Sequence, residues 1–201
     1  INMGEYRIFD KKTVNEGFST SVQILVDVSS SMLTKDGLEQ TRAHEANVCA
    51  LNIALALEGI DGIENAVHYF PGDCTEYETA LKFGERASKF APFFDQKPRG
   101  STPLAQCLYK ALEDLKKVNC NRNMIFIITD GMPDSVTNVL TAMNALEQNG
   151  VEVYGISIRS DLISKLFEKH PENVTVLKDA SELNRAFTEL FKKQFAFQNV
   201  A

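Results

Sequence analysis

Apolar runs of strand length alternate with apolar stripes of helical spacing along nearly the whole chain, and this alternation limits the folds open to it. Residues 22–26 form a short apolar run closed by Asp27. Ala46, Ala50, Ile53, Ala54 and Leu57 then recur at helical spacing, and Gly59 marks the end. Residues 66–70 read as a second strand, and the turn at Pro71-Gly72-Asp73 returns a third, 77–83, against it. Leu104, Cys107, Leu108, Ala111, Leu112 and Leu115 make one helical stripe, with Thr102 expected as its N-cap and Pro103 as its first residue. Residues 124–128 are unbroken apolar sequence, as in a strand covered on both faces. A helix through Val139, Leu140, Met143 and Leu146 follows, closed by Asn149-Gly150. Then come a strand at 151–158, a short helix at 162–167, a strand at 174–177, and a last helix striped by Leu183, Ala186, Phe187, Leu190 and Phe191.

Strand-helix alternation over the whole length, with one strand pair joined at a turn, predicts an α/β fold: a doubly wound, mostly parallel six-stranded sheet with one antiparallel edge strand and helices on both faces. With 201 residues and no internal repeat or low-complexity linker, the chain reads as an N-terminal arm (1–20) and one domain (21–201). No apolar run approaches the roughly 18 residues of a membrane-spanning helix, so no membrane contact is expected. The net charge is 21 − 27 = −6, and the basic residues fall in isolated pairs such as Lys11-Lys12, Lys116-Lys117 and Lys192-Lys193. Nucleic acid is therefore not expected as a partner. The start, Ile1-Asn2-Met3-Gly4-Glu5, has no apolar signal core and no initiating Met, and reads as a processed product or a piece of a longer protein. Of the four cysteines, Cys49 and Cys107 lie on apolar helical stripes and read as buried thiols. Cys74 and Cys120 lie in loops without C-x-x-C spacing, which leaves a disulfide between them open. Reduced thiols and a cytoplasmic location are the expectation.

In an open sheet of this kind, ligands bind beyond the C-terminal ends of the strands, where strand order reverses. Three segments should meet there: Asp27-Val28-Ser29-Ser30-Ser31 after the first strand, Thr102 before a large helix, and Asp130 after the 124–128 strand. They supply two carboxylates and three hydroxyls and no His or Cys. That all-oxygen set suits a hard divalent cation: Mg²⁺, with Mn²⁺ or Ca²⁺ as alternatives. Neutral hydroxyls leave much of such an ion's charge uncompensated, which makes it a sink for an anionic oxygen from a partner's Asp or Glu.

The segments Asp27-Val28-Ser29-Ser30-Ser31-Met32, Gly100-Ser101-Thr102-Pro103-Leu104 and Thr129-Asp130-Gly131 resemble the metal-ion-dependent adhesion site of von Willebrand factor A (vWA) domains. The resemblance covers roughly residues 20–195 in element order. It implies a metal site made of Asp27, Ser29, Ser31, Thr102 and Asp130, and all five positions match. Ser30, often Gly in the family, is not a ligand position. Arg7-Ile8-Phe9, residues 97–104 and Thr129-Asp130-Gly131-Met132-Pro133-Asp134 are similar to the vWA domain of cobaltochelatase T subunits and of bacterial and phage relatives. That similarity implies an intracellular complex with an AAA+ ATPase and a non-catalytic role, although the chain carries no acidic region or chelatase partner domain.

Blander explanations exist for each residue. Serines after a strand commonly form turns or cap helices, and Asp134 reads as a helix N-cap. His44, His68 and His170 are scattered and read as structural or surface residues. Phe187, Phe191, Phe195 and Phe197 read as core packing, with the last two as a possible exposed patch. An enzyme, either a metal-dependent phosphoryl hydrolase or a catalytic chelatase subunit, is the competing function. Against it, Ser29 stands where an aspartyl-phosphate enzyme needs an acid, and the chain has no G-x-S-x-G, Walker A or G-x-G-x-x-G motif.

Overall fold

In the computed structural model, residues 19–196 are described apart from 36, 38, 73–75, 160 and 179. Six strands form one sheet: β1 (Thr20–Asp27), β2 (Ile63–Phe70), β3 (Glu78–Leu81), β4 (Arg122–Thr129), β5 (Val151–Ile158) and β6 (Val174–Leu177). Their order is β3-β2-β1-β4-β5-β6. Every neighbouring pair is parallel except β2 and β3, so β3 is the antiparallel edge strand expected. The helices are α1 (Arg42–Leu57), α2 (Ala87–Phe90), α3 (Leu104–Leu115), α4 (Val136–Gln148) and α5 (Leu183–Ala196). The short helix expected at 162–167 is a 3-10 segment, Asp161–Phe167.

Side-chain alternation assigns the two faces. Val22, Ile24 and Val26 of β1 and Met124, Phe126 and Ile128 of β4 pack with apolar residues of α1 and α5. Leu25, Ile125 and Ile127, from the same strands, pack with α3 and α4. Phe187 and Phe191 complete the first core, with ring centroids 4.7 and 6.2 Å from that of Phe126. The side chain of Phe195 and all of Phe197 lie outside the described residues, as do Cys74, Arg7-Ile8-Phe9 and the arm up to residue 18. Thr20, assigned to the arm from sequence, is the first residue of β1.

β3 is shorter than the run at 77–83. Tyr77 leaves the ladder to stack on His68, with ring centroids 4.2 Å apart, and its hydroxyl donates to Asp114 on α3. A register shift between Val67 and His68 interrupts the ladder, which pairs Val67 with Leu81 on one side and His68 with Thr79 on the other. Cys49 and Cys107 are buried free thiols, as expected, and burial pushes both up in pKa; Cys120 is also a free thiol. His44 and His170 are exposed, whereas His68 is buried against Tyr77. No helix among the described residues is long and apolar enough to cross a membrane.

The topology fixes where a site can form. From β1 the chain crosses to β2 on one side, and from β3 it returns through α3 to β4 on the other. Strand order therefore reverses between β1 and β4. Val26 pairs with Ile128, so Asp27 stands level with Thr129, and both face the crevice above this reversal.

Candidate metal centre

Three loops close over that crevice. The first follows β1 and alternates in burial: Val28 and Met32 are fully buried and pin the loop to the core, while Ser30 and Ser31 are exposed. Ser29 occupies the N-cap position of the 3-10 turn Ser30–Leu33, yet its side chain makes no capping hydrogen bond. Its hydroxyl instead lies 3.0 Å from that of Ser31. Simple capping therefore does not account for the D-x-S-x-S pattern.

Asp27 is fully buried. Its Oδ1 accepts from the Ser29 amide at 2.6 Å, and its Oδ2 accepts from Thr129 Oγ1 at 2.5 Å. Burial pushes its carboxyl up to about 6; the hydrogen bonds from Thr129 and Ser29 hold it down in part, and the charge of Asp130 adds to the rise. Asp130 is also buried. Its Oδ1 accepts from Ser31 Oγ at 2.6 Å, and its Oδ2 is ion-paired with Arg42 Nη1 at 2.7 Å.

The second loop enters α3. Gly100 adopts φ +62°, and its carbonyl accepts from the Ser30 amide at 3.2 Å and Ser30 Oγ at 3.0 Å. A Cβ at this position would also stand 3.0 Å from Pro71. The neighbouring Arg99 amide donates to Val28 O at 2.6 Å, so loops one and two are joined at two places. Thr102 is buried, but it is not the N-cap expected from sequence: Pro103 takes that position, no side chain caps α3, and the helix begins at Leu104.

Asp134 corrects a second expectation. It does not cap α4; Ser135 does, accepting from the Asn138 amide at 3.3 Å. Asp134 instead accepts from the Thr102 amide at 3.0 Å and from Ser101 Oγ at 2.9 Å, and its own amide donates to Thr102 O at 3.0 Å. The third loop thus clamps the second. Asp134→Ala is expected to leave the fold intact, at a cost of about 1 kcal/mol, because the residue is exposed. It should also raise the hydrogen-exchange rate of the Thr102 amide about tenfold, read by NMR, while the α3 interior keeps its protection.

The structure thus joins Asp27, Ser29, Ser31 and Asp130 through direct or shared hydrogen bonds; Thr102 is held on the neighbouring loop by its backbone bonds to Asp134. Sequence reasoning missed Arg42 and the clamp by Asp134. An Arg in the first turn of a helix, at the positive end of the dipole, was the available signal for the former.

The donor set fits a hard divalent ion. Six-coordinate magnesium holds its oxygens at about 2.0–2.1 Å, which puts neighbouring ligands about 2.9 Å apart. The Ser29 and Ser31 hydroxyls stand 3.0 Å apart, two carboxylates lie behind them, and the exposed Ser31 opens the cluster to solvent. Residues 21–189 match the von Willebrand factor type A domain.

The chain belongs to this family.

Domains of the family commonly act as protein-interaction modules, often through a bound metal. Nothing among curated proteins matches the sequence. Solved structures share the fold at low identity. The pilus adhesin SpaC from Lactobacillus rhamnosus GG is 13% identical with a TM-score of 0.73, over 90% of this chain and 30% of that one. The manganese-loaded Plasmodium vivax TRAP protein is 16% identical with a TM-score of 0.62, over 83% and 71%. Proximal thread matrix protein 1 from the mussel byssus, with a zinc-occupied MIDAS motif, is 17% identical with a TM-score of 0.67, over 87% and 48%. This vWA domain spans less than half the length of the mussel and pilus proteins.

Proposed function

We propose that this vWA domain is a metal-dependent docking module in which Asp27, Ser29, Ser31, Thr102 and Asp130 hold one Mg²⁺, with Mn²⁺ or Ca²⁺ able to substitute. The ion supplies a Lewis-acidic position for one carboxylate oxygen of a partner's Asp or Glu. The observation that carries this reading is the Ser29–Ser31 hydroxyl pair, spaced as adjacent ligands of a six-coordinate ion and backed by two buried carboxylates. Hydroxyls keep the first ligands neutral, so the ion retains charge for the incoming anion. The domain has no catalytic part in this reading. The similarity of residues 97–104 and 129–134 to cobaltochelatase T subunits supports an AAA+ ATPase as the partner, within a cytoplasmic complex.

The test is calorimetric titration of chelator-stripped protein. Mg²⁺ and Mn²⁺ should bind one per chain, without preference for Zn²⁺, and Ser31→Ala and Thr102→Ala should each weaken Mn²⁺ binding at least about tenfold. A short peptide with a single Asp should then bind only with metal present, and its Asn counterpart should not. No uptake of Mg²⁺ or Mn²⁺ at millimolar concentration, with or without the Asp peptide, would contradict the reading.

A further inference from the structure

We propose that Arg42 is a fixed counter-ion of this centre, which keeps Asp130 out of direct coordination and tunes the site to take up cation and carboxylate together. The inference rests on the metal reading above and adds a regulator that lies outside the five residues of that site.

Arg42 is the first residue of the 16-residue helix α1. A cation there faces the positive end of the helix dipole, so local physics disfavours it. Its guanidinium reaches Asp130, 88 positions along the chain, with Nη1 2.7 Å from Oδ2. The Arg42 side chain is 13% exposed and the Asp130 side chain not at all, so the pair is shielded from solvent. The guanidinium is also held at its root. The Arg42 amide donates to Thr34 O at 2.8 Å, and the Thr34 amide donates to Ser31 O at 3.1 Å. The start of α1 is therefore tied to the loop that carries the two serines.

Asp130 has both oxygens engaged: Oδ1 by Ser31 Oγ and Oδ2 by Arg42. A metal bound directly to Oδ2 would be held close to the guanidinium charge, and one bound to Oδ1 would share that oxygen with the Ser31 hydroxyl. Repulsion between the guanidinium and a divalent ion in this shielded crevice disfavours both arrangements. The arrangement that keeps every contact has Asp130 orienting Ser31 from behind, with the serine hydroxyl donating to Asp130 and offering its lone pairs to the cation.

Charge gives the consequence. With both carboxylates ionised, the cluster of three groups, Asp27, Asp130 and Arg42, carries −1. A divalent ion brings it to +1, and one carboxylate brings it to zero. Without Arg42 the cation-loaded cluster would already be neutral, with less pull on an anion. Arg42 therefore weakens uptake of the cation alone and strengthens capture of the carboxylate. By linkage, the carboxylate tightens the cation by the same factor that the cation tightens the carboxylate.

The test uses Mn²⁺ as the probe, titrated at pH 7.5 by calorimetry and by the EPR signal of unbound Mn²⁺. Wild type, Arg42→Gln and Arg42→Lys are compared in chloride and in acetate at equal ionic strength, each corrected for Mn²⁺–acetate association. Arg42→Gln should bind Mn²⁺ on the order of tenfold more tightly than wild type in chloride, because a unit charge beside a divalent ion has been removed. Acetate should tighten Mn²⁺ binding in wild type and have a smaller effect in Arg42→Gln. Arg42→Lys, which keeps the charge, should follow wild type in both respects, and thermal melts establish that all three are folded. Equal or weaker Mn²⁺ binding by Arg42→Gln, or an equal acetate effect in both proteins, would overturn the role of Arg42 and leave the metal reading standing. Mn²⁺ binding by none of the three would remove the metal reading and this inference with it.

Discussion

Asp27→Asn is expected to abolish Mn²⁺ binding, by more than about a hundredfold, and at the same time to raise the melting temperature of the metal-free domain by several degrees. The two effects have one origin. Asp27 is fully buried at the end of a central strand, and its carboxyl is pushed up to about 6 against an ordinary 3.8. A carboxyl raised in this way prefers to be protonated in the folded state. Its contribution to stability is fully present below pH 3.8 and is lost as the pH rises through 6. At pH 7.5 the ionised group therefore costs the metal-free fold about 3 kcal/mol. A cation at the site offsets that cost, and the uncharged Asn removes it. Asn keeps the shape and can still accept from the Ser29 amide, so a gain of about 1–3 kcal/mol is expected in chelator, with none of the metal-induced stabilisation of wild type. Differential scanning fluorimetry with and without Mn²⁺ reads both effects. If Asp27→Asn melts lower than wild type in chelator, the carboxylate has a structural role and the account of its burial is wrong.

The second large effect concerns pH, through His68. This ring is buried on the face of the sheet beneath α3, its Nδ1 lies 3.0 Å from Thr79 Oγ1, and it stacks on Tyr77. Burial lowers its pKa from 6.5 to about 4; Asp114 opposes the shift and Lys110 adds to it. Unfolded chains bind this proton more readily than folded ones between those values. Stability is thus complete above pH 6.5 and declines until the pH reaches about 4, a loss of roughly 3 kcal/mol. Asp27 acts in the opposite sense over nearly the same interval, because it regains stability as the pH falls from 6 to 3.8. Metal-free wild type should therefore change little between pH 6.5 and 4. Asp27→Asn should lose roughly 3 kcal/mol there, and Asp27→Asn with His68→Gln should lose little. Asp114 is held below its ordinary value by hydrogen bonds from Lys117 and Tyr77, which all three proteins share. Urea unfolding across pH 4–7 measures the three slopes. A flat profile in Asp27→Asn, or an equal decline once His68 is replaced, would show that the buried imidazole does not control the response.

The elements that could be read from sequence are those whose neighbours along the chain determine them. The apolar runs of β1, β4 and β5 and the stripes of α1, α3 and α5 follow from periodicity, because a strand between two layers and a helix on one layer bury different sets of positions. The candidate ligands Asp27, Ser29 and Ser31 were legible because they share one loop, and Thr102 and Asp130 because each ends or begins an obvious element.

What sequence did not show are bonds between distant segments. Asp134 stands one residue before the cap of α4, where local chemistry favours a capping Asp, yet its oxygens serve Ser101 and Thr102, more than 30 positions away. Thr102 and Pro103 read as N-cap and first helical residue, but the clamp on Thr102 delays the helix by one residue. Tyr77 has a strand-forming side chain, and only the proximity of His68 and Asp114 explains why it leaves the ladder. The Arg42–Asp130 pair joins the start of α1 to the end of β4, which become neighbours only once the sheet is assembled.

The most direct test of the metal-dependent reading is anomalous diffraction from crystals grown with Mn²⁺ and acetate. One manganese peak is expected at the β1–β4 crevice, within bonding distance of Ser29 Oγ and Ser31 Oγ, with an acetate oxygen on its open side and Asp130 still paired with Arg42. A crevice without a manganese peak, in crystals that bind the ion elsewhere or not at all, would contradict it.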